Sequence, residues 1–262
     1  MKDEIRLIAI DIDGTLIDDQ YNVSDKTIEA IKALKEKGRE VALVTGRAHC
    51  GAKKVMHELG LELPIISHNG GKVTLEDGTI ILNEKFPVSS IEEVLEHGQK
   101  NDIYMKVYID DCFYVTVDNG MTKWSAKKHN MKYKVVEDLN KDIHEEINLL
   151  ILFYEHEISQ EHLEEFSHLN VEVTTSFPKA IELIPKGVSK ASGLSHLKDH
   201  LNIKQEEILA IGNGLNDLSM LEFAGIGIAM KNSDQILLDN YDKISQFTNN
   251  EEGVYEIIKE YL

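Results

Sequence analysis

The segment LIAIDIDGTL, residues 7–16, is the strongest fold signal in this chain. An apolar run of strand length ends there at two aspartates, Asp11 and Asp13, which a glycine and a threonine follow at once. Carboxylates at the end of a buried strand are costly unless a ligand or a chemical step uses their charge. Residues two apart in an extended backbone point to the same side, so both carboxylates would face one site. The segment predicts a strand whose C-terminal end carries a functional acidic pair.

The next stretch, SDKTIEAIKALKEKG at residues 24–38, has the pattern of an amphipathic helix. Ser24 is suited to cap its start and Gly38 to end it, with Ile28, Ile31 and Leu34 at helical spacing between them. The same alternation of apolar strand, polar turn and helix continues to about residue 80 and returns in the last seventy-five residues. It predicts an α/β fold with a Rossmann-like, doubly wound parallel sheet covered on both faces.

The middle of the chain has a different pattern. IYMKVYIDDCFYVTV alternates like a hairpin that turns at Asp110 and Asp111, and NLLILFYE, VEVTTS and KAIELIP resemble further strands beside the helical SQEHLEEFSHL. This pattern is typical of an antiparallel sheet with helices on one side. We therefore predict a core built from residues 1–83 and 186–262, interrupted by an inserted α+β domain at residues 84–185.

Composition limits the partners. A formal net charge of -18 argues against a nucleic-acid backbone or an anionic membrane as the main partner. No apolar stretch approaches the roughly 18 residues of a membrane span, and no signal peptide is expected. Cys50 and Cys112 lie far apart and are expected to be reduced thiols. These features predict a cytoplasmic protein and do not exclude a small phosphorylated molecule as its partner. We expect a monomer or homodimer.

Four polar, glycine-containing loops each follow an apolar run: DIDGT (11–15), TGR (45–47), SHNGG (67–71) and GNGLND (212–217). Ligands of open parallel sheets bind beyond the carboxyl ends of the strands. Glycines there let the backbone approach a ligand and offer unobstructed N–H groups. The loops are therefore expected to converge on one crevice.

The order of these motifs, DxDGT, then TGR, an isolated lysine and GNGxND, resembles the haloacid-dehalogenase superfamily of phosphotransferases. More narrowly, it is similar to the Cof-type sugar-phosphate phosphatases of class IIB, whose cap is inserted between the second and third motifs. The resemblance covers the whole chain, including IPKGVSK at residues 184–190, where the chain returns from the insertion. It implies a Mg²⁺-dependent phosphatase for a small phosphorylated metabolite, with the insertion as a mobile cap.

The resemblance also implies residue roles. Asp11 would be the nucleophile that forms an aspartyl-phosphate, and Asp13 the general acid and then the general base. Lys190 would place positive charge against Asp11 and the phosphoryl oxygens. The residues implied to bind the phosphoryl group are Ile12, Thr45, Gly46, Arg47, Lys190 and Asn216. Those implied to hold Mg²⁺ are Asp11, Asp13, Asn213 and Asp217.

Asn213 departs from the family pattern, which has an aspartate that ligates the metal at this position. An amide carbonyl supplies an oxygen without charge. One hypothesis is a working enzyme with weaker Mg²⁺ affinity, supported by Asp217. Another is an altered site with slow turnover, and the extreme case is a non-catalytic sensor of phosphometabolites.

The reaction and the roles of several side chains stay open in the sequence. A phosphomutase of the same superfamily is the competing enzyme. Arg47 either contacts substrate or pairs with an acid, and Trp124 either lines a substrate pocket or fills the core of the insertion. His68 is expected to serve its own loop or to support Asn69. The substrate itself is a sugar phosphate, a nucleotide, a phosphorylated flavin precursor or pyridoxal phosphate.

Overall fold

A computed structural model of the protein describes residues 4–262, whose strands form one sheet of seven strands and one of six. The strands are β1 Leu7–Asp11, β2 Glu40–Val44, β3 Ile65–Ser67, β4 Lys72–Thr74, β5 Ile80–Asn83, β6 Tyr104–Ile109, β7 Cys112–Val115, β8 Lys132–Val135, β9 Leu149–Phe153, β10 Val171–Thr174, β11 Ala180–Pro185, β12 Ile208–Gly212 and β13 Ile226–Ala229. The helices are α1 Asp25–Glu36, α2 His49–Glu58, α3 Glu92–Lys100, α4 Gly120–His129, α5 Leu139–Asp142, α6 Gln160–Glu164, α7 Lys190–His200, α8 Leu218–Phe223, α9 Gln235–Asn240 and α10 Gly253–Ile258.

The seven-stranded sheet has the order β13-β12-β1-β2-β3-β4-β5, and its pairs from β13 to β3 are parallel. The central strand β1 is buried on both faces. Ile8 and Ile10 pack in a cluster with α1, whereas Leu7 and Ala9 pack in a second cluster with α7. This two-sided burial explains the unbroken apolar run in the sequence. The predicted doubly wound α/β fold is confirmed.

The predicted helix after β1 forms as α1. The Ser24 hydroxyl accepts a hydrogen bond from the Thr27 N–H at 3.2 Å, and Gly38 follows the helix with a φ of +78°. Ile31 and Leu34 are fully buried. The helix is therefore held by its cap and by the apolar face that the sequence pattern predicts.

The six-stranded sheet, of order β10-β11-β9-β6-β7-β8, is antiparallel except at its β7–β8 edge. The expected hairpin forms, because Ile109 pairs with Cys112 across a turn of Asp110 and Asp111. The edge strand β8 was not predicted. Its sequence KYKV is mostly exposed, so it lacks the apolar run that marks the other strands.

The hairpin β4–β5 was also missed, and it extends the seven-stranded sheet in antiparallel fashion. That sheet takes its strands from residues 7–83 and 208–229, and the six-stranded sheet from residues 104–185. The exact domain boundaries predicted above stay a prediction. Within residues 4–262, no helix combines the length and the apolar character that crossing a membrane requires.

Candidate active site

A buried ion-pair triad lies at the carboxyl end of β1. Lys190 Nζ donates to Asp11 Oδ1 at 2.8 Å and also to Asp217 Oδ1. All three side chains are almost inaccessible to solvent. Burial, together with the charge of Asp217, raises the pKa of Asp11 to about 7. Although burial opposes its charge, the two carboxylates raise the pKa of Lys190. The triad is thus a lysine clamped between two acids that the fold forces together.

This burial predicts a stability effect for Asp11→Asn in metal-free protein. The carboxyl titrates near 3.8 in the unfolded chain and at about 7 when folded, so between these values the folded protein holds more protons. The contribution of Asp11 to the free energy of unfolding therefore falls as pH rises through this window. We expect the variant to melt about 3 °C above the parent at pH 8, with a smaller difference at pH 5. Calorimetry in EDTA measures this, and a variant that melts below the parent at pH 8 would contradict it.

Lys190 is positioned by the start of α7 and by the loop that follows β3. Ser189 caps the helix, accepting from the Ser192 N–H at 3.2 Å. Gly70 has a φ of +106°, and a Cβ there would lie 1.9 Å from the carbonyl oxygen of Ser189. Only glycine therefore allows this contact between the loop and the helix start. The SHNGG motif thus helps to fix the start of α7, the helix that carries Lys190.

Asp217 also holds the loop after β12. Its Oδ2 accepts from the N–H groups of Asn213 and Gly214, both at 2.8 Å. With Oδ1 bonded to Lys190, both carboxylate oxygens are engaged. Direct coordination of a metal by Asp217 would require the release of one of these partners.

Asn213 faces three oxygen atoms, one at the end of β1 and two in the loop that follows it. In the orientation that satisfies its neighbours, its amide nitrogen lies 2.8 Å from Thr15 Oγ1, 2.8 Å from the Asp13 carbonyl oxygen and 3.3 Å from Asp11 Oδ2. Gly14, with a φ of +75°, leaves room for this amide, since a Cβ there would lie 3.1 Å from Asn213 Cγ. The neutral amide thus donates hydrogen bonds to the oxygens that surround it.

The three oxygens around the Asn213 amide are also suitable ligands for Mg²⁺. A carboxylate, a backbone carbonyl and a hydroxyl are hard donors, which this ion prefers together with water and substrate oxygens. Among residues 4–262, no three His, Cys, Asp or Glu side chains cluster as a metal site. A metal would therefore rely on mixed oxygen donors at this position.

Asp13 forms a bidentate pair with Arg47. Arg47 Nε and Nη2 donate to the two carboxylate oxygens of Asp13, each at 2.6 Å. Asp13 retains 37% side-chain exposure, while Arg47 is largely buried at 10%. The Arg47 N–H donates to Thr45 Oγ1 at 3.1 Å, which joins the second motif to the first. Pairing with an acid was one of the two roles that the sequence left open for Arg47.

The remaining predicted phosphate-binding residues lie on adjoining loops. Asn216 Nδ2 donates to Asn69 Oδ1 at 2.9 Å, and the Asn69 N–H donates to the Thr45 carbonyl at 3.1 Å. A Cβ on Gly46 would lie 2.9 Å from Asn69 Oδ1. The side chain of Ile12 is fully buried, so only its backbone can face a ligand. The loops converge as expected.

Two residues of this network were missed in the sequence. Glu182 on β11 accepts from Asn69 Nδ2 at 2.5 Å and from the Ser176 hydroxyl, and burial raises its pKa. Both belong to the six-stranded unit, so they tie it to the active-site loops. The available signal was the lone charge in the apolar strand AIELIP, since a buried carboxylate needs partners.

His68 serves its own loop, one of the two roles expected of it, because its carbonyl accepts from the Gly71 N–H at 3.1 Å. It adopts a φ of +52° in its loop and is fully buried, and neither ring nitrogen has a hydrogen-bond partner among the described residues. Burial lowers the pKa of its ring to about 3, so the ring is neutral. Asn69 is supported instead by Glu182 and Asn216.

Fold and site together define an α/β protein with a buried acidic site at the ends of its parallel strands. Comparison with known proteins makes this specific: the profile of the haloacid dehalogenase-like hydrolases matches residues 8–258. The chain belongs to this family. The resemblance noted in the sequence, to Cof-type phosphatases of the haloacid-dehalogenase superfamily, is confirmed, as is the prediction of an enzyme.

Individual relatives align along nearly the whole chain. The 5-amino-6-(5-phospho-D-ribitylamino)uracil phosphatase YitU of Bacillus subtilis is 28% identical over 98% of this chain and 97% of its own. A haloacid dehalogenase-like hydrolase from B. subtilis superposes with a TM-score of 0.86, at 26% identity, over 98% of this chain and 100% of its own. A protein from Thermotoga maritima does so with a TM-score of 0.79, at 30% identity, over 98% and 97%.

Proposed function

We propose that the protein is a Mg²⁺-dependent phosphatase that hydrolyses a small phosphorylated metabolite through an aspartyl-phosphate on Asp11. The observation that carries the proposal is the buried pair of Lys190 and Asp11, 2.8 Å apart at the end of β1. A cation against the nucleophile compensates its burial and lies where phosphoryl oxygens would arrive.

In the first step, an oxygen of Asp11 attacks phosphorus and forms the acyl-phosphate bond, while the bond from phosphorus to the alcohol oxygen breaks. Asp13, in its protonated form, gives its proton to the departing oxygen, so the alcohol leaves neutral. Asp13 is partly exposed, and one of its two hydrogen bonds from Arg47 would have to be released for that carboxyl oxygen to carry the proton.

In the second step, Asp13 takes a proton from a water molecule whose oxygen attacks phosphorus. The bond between Asp11 and phosphorus breaks, inorganic phosphate leaves, and both aspartates return to their starting states. Two carboxylates are required because one is covalently occupied while the other moves protons.

The phosphoryl oxygens would be held by the Lys190 ammonium, the Thr45 hydroxyl, the Asn216 amide and the backbone N–H groups of Ile12 and Gly46. Fixed donors of this kind supply most of the catalysis in phosphoryl transfer. Arg47 contributes through Asp13.

Mg²⁺ would be held by Asp11 Oδ2, the Asp13 carbonyl and the side-chain carbonyl of Asn213 after its amide turns over, with Asp217 fixing the loop. When bound, the ion supplies positive charge that offsets the approach of an anionic substrate to an anionic nucleophile.

Residues 84–185 would act as a cap on the core of residues 1–83 and 186–262. The contacts that link Ser176 and Glu182 to Asn69 support this assignment, because they join the six-stranded unit to the phosphate-binding loops. Closure would exclude water from the site while the phosphoryl group is transferred.

The substrate would be a phosphorylated metabolite of modest size. One relative is named for a phosphorylated ribitylaminouracil, which supports a substrate with an organic group beyond the phosphate. The free thiols of Cys50 and Cys112 support a reducing, cytoplasmic setting.

A panel of phosphorylated metabolites, assayed for phosphate release with and without Mg²⁺, tests the proposal. We expect release from at least one member, dependent on the metal. Transfer of labelled phosphate to a second hydroxyl of the substrate would identify a phosphomutase instead. Ligand binding without release at any Mg²⁺ concentration would identify a sensor, the function that the neutral Asn213 favours.

We predict that Asn213→Asp tightens Mg²⁺ binding about tenfold, because it adds a carboxylate where three oxygens already converge. Titration calorimetry with MgCl₂ measures the affinity, and the Mg²⁺ concentration for half-maximal phosphate release is expected to fall in parallel. Asn240→Asp, which adds the same charge on an exposed helix end, is the matched control. An unchanged affinity would show that the metal binds elsewhere.

A further inference from the structure

A cleft of about 720 Å³ opens beside the candidate active site. Its core side is formed by residues 17–28 and by α2, and its other side by α4 of the inserted unit. Arg47 lines this cleft and simultaneously binds Asp13. Because Asp13 would protonate the departing oxygen, the alcohol part of the substrate would lie near Asp13 and therefore near Arg47. The cleft is therefore positioned to receive it.

One cation contacts two exposed aromatic rings that line the cleft. Tyr21, from the core, and Trp124, from α4, are each 58% exposed. Lys128 Nζ lies 4.1 Å from the Tyr21 ring centroid and 4.6 Å from that of Trp124. The ammonium is thus in contact with both rings. A flat conjugated ring that took the place of the ammonium would have both aromatic rings within reach for stacking.

Tyr21 is held in place at an energetic cost. Its φ of +64° lies in the left-handed region, which a bulky residue rarely adopts. The Tyr21 N–H donates to the Asp18 carbonyl at 3.0 Å, and Asp18 Oδ1 accepts from the N–H groups of Gln20 and Asn22, both at 2.8 Å. This braced turn presents the phenol ring to the cleft instead of burying it.

Lys128 has no carboxylate partner among residues 4–262; its ammonium donates to the Tyr21 hydroxyl at 2.8 Å. Its neighbour Lys54 donates to the Lys128 carbonyl and has Glu58 at 3.8 Å. Asp25 and Glu58 also line the cleft, but neither forms an ion pair with Lys128, so its ammonium can still donate to an acceptor on a ligand. It would bind an oxygen acceptor at the edge of a stacked ring.

We propose that this cleft binds the alcohol part of the substrate, and that it selects phosphomonoesters bearing a flat conjugated ring with oxygen acceptors. Tyr21 and Trp124 would stack on the ring, and Lys128 would move to its edge and donate to an oxygen. This inference rests on the proposed phosphatase activity and assigns its substrate class.

Two matched pairs of substrates test it, since each pair differs only by the ring. Uridine 5′-monophosphate is compared with ribose 5-phosphate, and riboflavin 5′-phosphate with ribitol 5-phosphate. We expect kcat/KM to be higher for the ring-bearing member of at least one pair. Trp124→Ala and Tyr21→Ala should each lower that preference about tenfold while leaving the ring-free member nearly unchanged. Val135→Ala, which removes an exposed apolar side chain outside the cleft, should not alter it.

Trp124 is the only tryptophan in the chain, so its fluorescence reports binding without turnover. Uridine 5′-monophosphate should quench it more than ribose 5-phosphate at equal saturation, and Lys128→Met should weaken the binding of the ring-bearing ligand. If neither pair shows a ring preference, or if the Tyr21 and Trp124 variants slow both members equally, the proposal is wrong. The cleft residues then only hold the two units together. If no substrate of the wider panel releases phosphate, the proposed function itself fails.

Discussion

Asp11→Asn is expected to lower phosphate release by about 10⁴-fold or more, which is the scale of losing a covalent nucleophile. The asparagine keeps the shape of the side chain but cannot form the acyl-phosphate. Lys190 would keep its second partner, Asp217, so the site should remain folded. Phosphate release under saturating substrate and Mg²⁺ measures the effect.

The control for this variant is Asp242→Asn, which removes an exposed carboxylate from the same domain. Its activity should match that of the parent. Residual activity within tenfold of the parent in Asp11→Asn, at an unchanged fold by circular dichroism, would assign the nucleophile to another group.

Lys190→Met should have the second largest effect, acting on both stability and activity. It leaves Asp11 and Asp217 buried beside each other without a cation, and breaking a buried pair in this way costs about 3 kcal/mol of unfolding free energy. It also removes the charge proposed to hold the phosphoryl oxygens, which should lower kcat about 10³-fold. Chemical denaturation and phosphate release measure the two effects separately.

A double variant separates folding from catalysis. Lys190→Met with Asp217→Asn removes one of the two uncompensated carboxylates, so it should recover part of the lost stability without recovering activity. If the double variant regained activity, Lys190 would act only by holding the fold. If Lys190→Met lost less than about 1 kcal/mol, the buried triad would contribute little to the folded state.

The sequence was most informative where function and fold use the same local signal. The apolar run ending at Asp11 predicts both a buried central strand and an acidic site, and Ser24 and Gly38 mark a helix by backbone chemistry alone. The strand ends were expected to converge because parallel strands share one direction. These inferences need only neighbours in the chain.

What the sequence missed depends on contacts between distant residues. Glu182 and Asn69 are 113 positions apart, and neither pattern nor spacing pairs them. The strand β8 pairs parallel to β7, and its exposed sequence gives no sign of it. The role of Arg47 could be decided only from the structure, in which it donates to both oxygens of Asp13.

The sequence left two roles open for Trp124, a pocket lining and a core position, and only its burial in the structure could decide between them. An aromatic residue in a small α+β unit usually fills its core. Here the ring is more than half exposed and lines a cleft with Tyr21, a residue in an unusual backbone conformation that no sequence pattern predicted.

Trapping the phosphorylated enzyme is the most direct test of whether Asp11 is the nucleophile. Protein quenched during steady-state turnover is treated with borohydride, which reduces an aspartyl-phosphate to homoserine, and the peptide containing residue 11 is analysed by mass spectrometry. We expect homoserine at position 11 in the parent protein and none in Asp11→Asn. Homoserine at another aspartate position, with residue 11 left as aspartate, would contradict the assignment of Asp11 as the nucleophile.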